Sequence, residues 1–188
     1  MSFKKHISLL KEAIPRDEYL DEFEDISKEL AKEIVFAAHN NKLVLILGNG
    51  GSATDASHWS SELVSSYENR FRNALPVISL TESLSTITAI ANDDSYENIF
   101  LRQVEAFKAN LGIVIGLSTS GKSENVLRAL DRASSLNNKT VLITGLNYPH
   151  KGRYSNEIIF NSDHVGTIQT LTQIFYHSVC NEVENLII

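Results

Sequence analysis

The chain has 188 residues, of which 43% are hydrophobic and 21% are charged, the proportions of an ordinary globular protein. This length is enough to bury a substantial hydrophobic core, and we expect a single domain over residues 1–188. The net charge of −6 argues against nucleic-acid binding, because contacts to a phosphate backbone need clustered Lys and Arg. The chain has one cysteine, Cys180, which excludes an intrachain disulfide. It has no apolar run long enough to predict a membrane span, so we expect a cytoplasmic protein.

In chain order, the apolar periodicity predicts two N-terminal helices, at residues 3–14 and 16–40, separated by Pro15. Further along, the sequence predicts strands at 43–47, 74–80, 112–117, 139–145 and 157–160, and helices after the glycine turn at 48–52 and at 81–91, 96–109, 124–133 and 166–187. Strands that alternate with helices are typical of a three-layer α/β/α sandwich with a five-stranded parallel sheet, as in flavodoxin-like folds. The last helix is apolar on several sides, which indicates an oligomer, and we expect residues 1–40 to pack on the domain and on partner subunits.

The first candidate binding feature is the glycine-rich turn at residues 48–52, GNGGS, between a buried strand and a helix. Its glycines let the backbone turn sharply and let a ligand approach without a Cβ in the way. The free N–H groups and the positive dipole end of the following helix make an anion site, and we expect Ser52 or Asp55 to cap that helix. The turn therefore predicts a site for part of a small phosphorylated or hydroxyl-rich ligand.

A second turn of the same kind, STSGKS at residues 118–123, follows the strand 112–117 and precedes the helix 124–133. In an open parallel sheet, ligands bind beyond the carboxyl ends of the strands. Two such turns in a small chain therefore predict two adjacent loops over one crevice.

Two nucleotide-binding motifs are matched by these turns, and both lack their expected context. Residues 116–123 satisfy the P-loop pattern G-x-x-x-x-G-K-[ST], but more than half of the chain precedes them and neither strand 74–80 nor strand 139–145 ends in the Asp that assists Mg²⁺. Residues 48–53 resemble the dinucleotide fingerprint, but the acidic residue expected about 20 positions on is missing. We therefore expect a phosphate cradle without a nucleotide cofactor, in which Lys122 is a solvated charge. The NTPase alternative predicts ATP hydrolysis that is lost in Lys122→Ala.

Side chains at helical spacing are the candidates for chemistry. His58 and Glu62 are four residues apart, so they share a helix face near the proposed ligand, where Glu62 can serve as a general base. On the last helix Gln169, Gln173 and His177 form a polar stripe with a period of four. These groups can also be structural, since buried polar side chains satisfy one another or the backbone. His58 and Glu62 with a further histidine can equally form a metal site.

Five motifs together resemble one family, the sugar isomerase (SIS) domain proteins, and within it the phosphoheptose isomerase branch. They are GNGGSATDASHWSSEL at 48–63, AND at 91–93, LSTSGKSENVLRAL at 117–130, Ile168-Gln169 and His177, and the resemblance covers nearly the whole chain. The resemblance implies conversion of sedoheptulose 7-phosphate to D-glycero-D-manno-heptose 7-phosphate, the first step of bacterial nucleotide-heptose synthesis for lipopolysaccharide or capsule. It also implies a cytoplasmic homotetramer with sites between subunits, and a zinc ion that some members bind there.

The same resemblance implies roles for individual residues. Glu62 would be the base that moves a proton between C1 and C2 through an enediol, and His177 would be its acid/base partner. The implied substrate-binding residues are Asn49, Gly50, Gly51, Glu62, Asn92, Asp93 and Gln169, together with Ser118, Thr119, Ser120 and Ser123 for the phosphate. The residues that match zinc-holding positions are His58, Glu62, Gln169 and His177.

One segment departs from the family pattern. Before the last helix the family usually has Ala/Pro-Arg-Ile-Gln-Glu, often with an acid nearby, whereas residues 166–170 are GTIQT, without the arginine and both acids. The change spares Glu62 and His177 and bears on the heptose accepted or on subunit contacts. An alternative function is that of a non-catalytic tetrameric SIS protein that binds the replication initiator, as some close members of the branch do; this alternative predicts binding without turnover.

Overall fold

Five parallel strands form the sheet around which the chain folds in the computed structural model, which describes residues 1–14 and 17–187. The strands are β1 (Leu43–Gly48), β2 (Val77–Ser79), β3 (Leu111–Leu117), β4 (Lys139–Gly145) and β5 (Asn156–Phe160). They lie in the order β2-β1-β3-β4-β5, and every neighbouring pair is parallel. The predicted five-stranded parallel sheet is thereby confirmed.

Helices cover both faces of this sheet. They are α1 (Phe3–Ala13), α2 (Asp17–His39), α3 (Gly51–Val64), α4 (Leu84–Asp93), α5 (Leu101–Phe107), α6 (Glu124–Ser135) and α7 (Val165–Leu186). Successive side chains of a strand point to opposite faces, so Val44 and Ile46 join a core with α2, α3 and α7, whereas Leu45 and Leu47 join a second core with α5 and α6. Because β1 is buried on both faces, its sequence is a continuous apolar run. The three-layer architecture is confirmed.

The N-terminal helices pack on the α7 side of the sheet. Leu30 and Ile34 of α2 are fully buried, and the Phe23 ring stacks on Phe160 at a centroid distance of 5.2 Å and meets Phe175 edge-on at 6.2 Å. The predicted helices 3–14 and 16–40 are therefore present, and Pro15 between them lies outside the described residues. No helix within 1–14 or 17–187 combines the length and the apolar character needed to cross a membrane.

Two predicted elements differ from the structure. The single helix expected at 96–109 is wrong: the segment forms a 3₁₀ turn at Tyr96–Asn98, then α5, then a second 3₁₀ turn at 108–110. Beside the first break, the side-chain amide of Gln103 donates to the carbonyls of Leu80 and Ile99. The strand expected at 74–80 is only three residues long in the structure, at the sheet edge, because Pro76 has no N–H to donate to a ladder.

The strand order places both polar turns at one point. β1 and β3 are neighbours, and Gly48 at the end of β1 is paired with Leu117 at the end of β3. The chain reverses its direction of travel across the sheet between these strands, which is where open α/β sheets bind ligands. The turns at 48–52 and 118–123 therefore leave the same edge side by side, as predicted.

Candidate active site

The two turns are joined directly by a pair of asparagine side chains. Asn49 Nδ2 donates to Asn125 Oδ1 at 2.8 Å, and Asn125 Nδ2 donates back to Asn49 Oδ1 at 2.9 Å. Asn125, on the first turn of α6, is buried and also accepts from the backbone N–H of Val126. The reciprocal pair fixes the start of α6 against the first turn. The motif at 117–130 contains Asn125 without giving it a role, so only the fold identifies this one.

The glycine turn leads into α3 without a side-chain cap at the N-terminus of that helix. Gly50 is the N-cap residue with φ +56°, and no side chain caps the helix, so the expected cap by Ser52 or Asp55 is wrong. Ser52 is buried instead, and Asp55 lies a turn further along α3. A Cβ on Gly51 would collide with the side-chain amide of Gln169. Gln169, from α7, therefore lies against the first turn.

The second turn is lined by hydroxyl groups. Ser118, buried at the end of β3, donates through its Oγ to Ser123 Oγ at 3.0 Å, and Ser123 is the N-cap residue of α6. Ser120 accepts from the backbone N–H of Lys122 at 3.2 Å, and the Lys122 side chain is exposed, as predicted. Gly121 has φ +64° and packs against Tyr148, so a side chain there would be both strained and obstructed. With Thr119, which is half-buried, these hydroxyls lie around the N-terminus of α6, a suitable position for an anion.

Asn92 and Asp93 lie in the last turn of α4, just beyond residue 91, where the sequence predicted the helix to end. Both are exposed, and Asn92 Nδ2 donates to Asp93 Oδ1 at 2.7 Å. Tyr96, three residues beyond Asp93, donates its hydroxyl to Asn49 Oδ1 at 3.0 Å and so ties this segment to the first turn.

His58 and Glu62 are in direct contact on α3. His58 Nε2 lies 3.0 Å from Glu62 Oε1, with the imidazole more exposed than the carboxylate. The other ring nitrogen, Nδ1, lies 2.8 Å from the hydroxyl of Tyr176, which is fully buried on α7. Tyr176 thus links the two helices that carry the candidate catalytic groups.

His177 lies next to this pair. Its ring meets that of His58 edge-on at a centroid distance of 5.4 Å and stacks on the ring of Tyr67 at 5.3 Å. Burial lowers the pKa of His177, the neighbouring His58 lowers it further, and Glu62 opposes the change. The structure therefore brings His58, Glu62 and His177 together from helices more than 100 residues apart in sequence. Tyr67 and Tyr176 are the residues that the sequence patterns did not single out.

Of the four side chains considered as zinc ligands, His58, Glu62 and His177 lie near one another but do not form a ready metal site. No group of three or more His, Cys, Asp or Glu within 1–14 and 17–187 is arranged to hold a metal ion. Two ligands of one zinc ion lie roughly 3 to 3.5 Å apart when each is about 2.0–2.2 Å from the metal, and the His58–Glu62 separation of 3.0 Å fits that requirement. Tyr176 on the far nitrogen of His58 also resembles the hydrogen bond that orients a metal-bound imidazole.

The fold and the paired turns define a class of protein, and comparison with known families identifies it. The model of the SIS domain family matches residues 14–145, so the chain belongs to the SIS domain family. Among curated proteins, the chain is 37% identical over 182 residues to the phosphoheptose isomerase of Helicobacter pylori strain ATCC 700392 / 26695, covering 96% of this chain and 93% of that protein. It is 39% identical over 177 residues to the phosphoheptose isomerase of Clostridium acetobutylicum, covering 93% of this chain and 87% of that one. Within the SIS domain family, the chain therefore belongs to the phosphoheptose isomerases.

Solved structures give the same result. A phosphoheptose isomerase from Francisella tularensis superimposes with a TM-score of 0.81 at 30% identity, covering 97% of this chain and 94% of that one. The phosphoheptose isomerase from Neisseria gonorrhoeae gives a TM-score of 0.80 at 25% identity, covering 97% and 95%. The SIS fold inferred from the motifs is confirmed, and the comparisons favour the isomerase over the binding-protein alternative.

Proposed function

We propose that the chain is an aldose–ketose isomerase that converts sedoheptulose 7-phosphate to D-glycero-D-manno-heptose 7-phosphate. The observation that carries the proposal is the meeting of Glu62 on α3 with His177 on α7, through His58, beside two turns that can bind an anion and a sugar. The names of the relatives support the same substrate. The product would feed nucleotide-heptose synthesis for lipopolysaccharide or capsule. The proposed location is the cytoplasm, since a chain with one cysteine forms no intrachain disulfide and so needs no oxidising compartment.

In the proposed reaction, the phosphate is a remote anchor and the first carbons of the sugar are the reacting centre. The hydroxyls of Ser118, Thr119, Ser120 and Ser123, with the N-terminus of α6, bind the phosphate. Glu62 removes a proton from C1 of the ketose, giving an enediol, and returns it to C2 of the aldose. His177 carries the hydroxyl proton from O1 to O2. Its lowered pKa keeps the imidazole neutral at neutral pH, so it can both accept and donate.

The sugar itself would lie between the turns and α7. Asn49, Gly50 and Gly51 offer backbone and amide groups on one side, and Gln169 lies against Gly51 from the other. Asn92 and Asp93, exposed at the end of α4, are expected to bind sugar hydroxyls. Their connection to the site runs through Tyr96 and Asn49.

A zinc ion, as the family resemblance implies, would be held by His58, Glu62, Gln169 and His177. It would supply a Lewis acid for the sugar oxygens. The donor types and the His58–Glu62 spacing suit the ion, with Gln169 the unusual member of the set.

We further expect four copies of the chain to assemble, with residues 1–40 contacting partner subunits. A groove of about 620 Å³ lies between α2, α7 and the segment at 67–68, and His177 is among its lining residues. Leu20 and Ile174, on its two walls, are about half exposed, so the groove presents an apolar surface that a second copy can cover. A second copy that covers this groove would also shield His177 from water.

The test is the turnover of sedoheptulose 7-phosphate by the purified chain, followed by NMR, before and after treatment with a chelator. The proposal predicts formation of the aldose 7-phosphate, and loss on chelation that zinc restores indicates the metal. Binding of the replication initiator without any turnover would instead support the alternative. Analytical ultracentrifugation of the same sample tests the tetramer.

A further inference from the structure

A buried ion pair behind the site takes no part in the proposed chemistry. Arg72 Nε donates to Glu184 Oε1 at 2.9 Å, and the two side chains are only 1% and 7% exposed. Removing two charges from water is costly, and such a pair can often be replaced by apolar residues without loss of stability. Stability alone therefore does not explain the pair, and its role must lie in the hydrogen bonds that the two side chains make with the rest of the molecule.

Glu184 holds the segment that follows α3. Its Oε1 accepts from the backbone N–H of Tyr67, and its Oε2 accepts from those of Glu68 and Asn69, each at 2.8 Å. Glu184 lies seven residues after His177, two turns further along the same face of α7. Because the Tyr67 ring stacks on His177, the carboxylate fixes the neighbour of that imidazole as well as the helix that carries it.

Arg72 holds the end of α3. Its Nη1 donates to the carbonyl of Leu63 at 2.9 Å, and its Nη2 donates to the carbonyl of Glu62. These carbonyls belong to the last turn of the helix, where no intrahelical N–H remains to pair with them. Arg72 thus fixes the main chain of the residue that carries the proposed base.

We propose that Arg72 and Glu184 act together as a clamp that sets the position of Glu62 relative to His177. They are positioning residues rather than catalytic residues, and the inference rests on the isomerase function proposed above. The planar guanidinium can donate to Glu184 and to two α3 carbonyls at once, which a lysine ammonium on a flexible stem cannot reproduce. A displacement of about 1 Å between reacting groups costs on the order of 100-fold in rate, so the clamp acts on kcat.

The test compares Arg72→Lys, Glu184→Gln and the double variant Arg72→Met/Glu184→Gln with wild type. The double variant leaves no charge buried without a partner, so it is the variant expected to fold if the single ones do not. Val104→Ala is the control, because Val104 is fully buried in the core on the opposite face of the sheet and its truncation lowers stability without touching the clamp. For each protein kcat, KM for sedoheptulose 7-phosphate and the melting temperature are measured.

The clamp predicts that kcat falls at least about 10-fold in Arg72→Lys and about 100-fold in the double variant, with KM within about threefold. Val104→Ala keeps the wild-type kcat below its melting temperature. If the pair merely neutralises buried charge, Arg72→Lys keeps the wild-type kcat, and that result would overturn the proposal. Equal losses of kcat in Val104→Ala and the clamp variants would do the same.

A second measurement separates this inference from the proposed function. If the wild type does not isomerise the heptose phosphate, the proposed function is refuted. The proposed clamp is then tested by NMR contacts between the Tyr67 and His177 rings. These contacts should weaken in Glu184→Gln and persist in Val104→Ala. Unchanged contacts in Glu184→Gln would refute the clamp whatever the enzyme assay shows.

Discussion

The hydroxyl of Tyr176 lies 2.8 Å from Nδ1 of His58, and this contact decides which nitrogen of the imidazole faces Glu62. Burial raises the pKa of Tyr176, and the negative charge of Asp55 raises it further, so the phenol keeps its proton and remains a hydrogen-bond partner of Nδ1. With Nδ1 beside Tyr176, the other nitrogen, Nε2, faces Glu62 Oε1 at 3.0 Å. Tyr176 therefore orients His58 and, through His58, the carboxylate of Glu62.

Removing that hydroxyl should reduce turnover without unfolding the protein. In Tyr176→Phe the ring still stacks on Trp59, but His58 is free to turn, and we expect kcat to fall roughly 10- to 100-fold, the usual cost of losing such an orienting partner. Tyr154→Phe is the matched control, since Tyr154 belongs to the core on the other face of the sheet and its hydroxyl donates to Asp131, away from the site. Steady-state kinetics on both variants make the comparison; equal effects would show that Tyr176 has no special role.

The hydroxyl-lined turn should act through KM. Ser118→Ala removes a buried hydroxyl from the proposed phosphate seat, and a hydrogen bond to a charged group contributes about 1.5–3 kcal/mol, so we expect KM to rise about 10-fold or more. Lys122→Ala is the internal comparison, because this side chain is exposed, and its KM should stay within about twofold. A large rise in KM in Lys122→Ala, together with ATP hydrolysis by the wild type, would instead support the P-loop interpretation.

A side chain at position 51 should act on the site through Gln169. The Cβ of Gly51→Ala would displace the flexible end of Gln169 rather than any backbone, so we expect at least a 10-fold loss of kcat/KM with little change in melting temperature. A double-mutant cycle with Gln169→Ala checks the cause. If Gln169 transmits the effect, Gly51→Ala adds nothing to Gln169→Ala. Additive losses would show that the alanine disturbs the turn by another route.

The acid stability of the protein should depend on Glu184. Burial alone acts to raise the pKa of Glu184, but hydrogen bonds from the N–H groups of Asn69, Tyr67 and Glu68, and from Arg72, more than offset it and lower the pKa to about 2 from 4.5. A carboxyl group with a lowered pKa stabilises the fold above its unfolded pKa, and that stabilisation is lost as the pH falls from about 4.5 towards 2. The shift corresponds to about 3 kcal/mol.

Denaturant unfolding between pH 7 and pH 2.5 measures this dependence. The free energy of unfolding of the wild type should fall more steeply below pH 4.5 than that of Glu184→Gln, which has no proton to take up at this position. Parallel pH profiles for the two proteins would show that Glu184 carries no lowered pKa.

The sheet and the two turns could be predicted because each depends on local sequence. Buried parallel strands such as β1 are continuous apolar runs, and glycine and hydroxyl residues mark the turns that follow them. Glu62 and His58 are also predictable as a pair, since four residues bring side chains together on any helix.

The contacts that connect distant segments could not be predicted in the same way. Arg72 and Glu184 are 112 residues apart, and each looks like an ordinary surface charge in sequence, yet both are buried. Asn125 follows Glu124 at a helix start, where an asparagine has many uses, and only the pairing of β1 with β3 places it against Asn49. The helix predicted at 96–109 also makes a contact that its own sequence does not show, since Gln103 donates to the carbonyl of Leu80 in another segment.

The most direct test of the account is isomerisation in D₂O by the wild type and by Glu62→Gln, followed by proton NMR of the product. If Glu62 is the base, the proton that it takes from C1 can exchange with D₂O while the enediol is bound, so the wild type introduces deuterium at C2 of the aldose. Glu62→Gln cannot accept that proton and should lose about 10²- to 10⁴-fold in kcat. Glu105→Gln, which changes a partly exposed carboxylate on α5 on the other face of the sheet, should behave as wild type. Wild-type turnover by Glu62→Gln would contradict the assignment of Glu62 as the base and, with it, the mechanism.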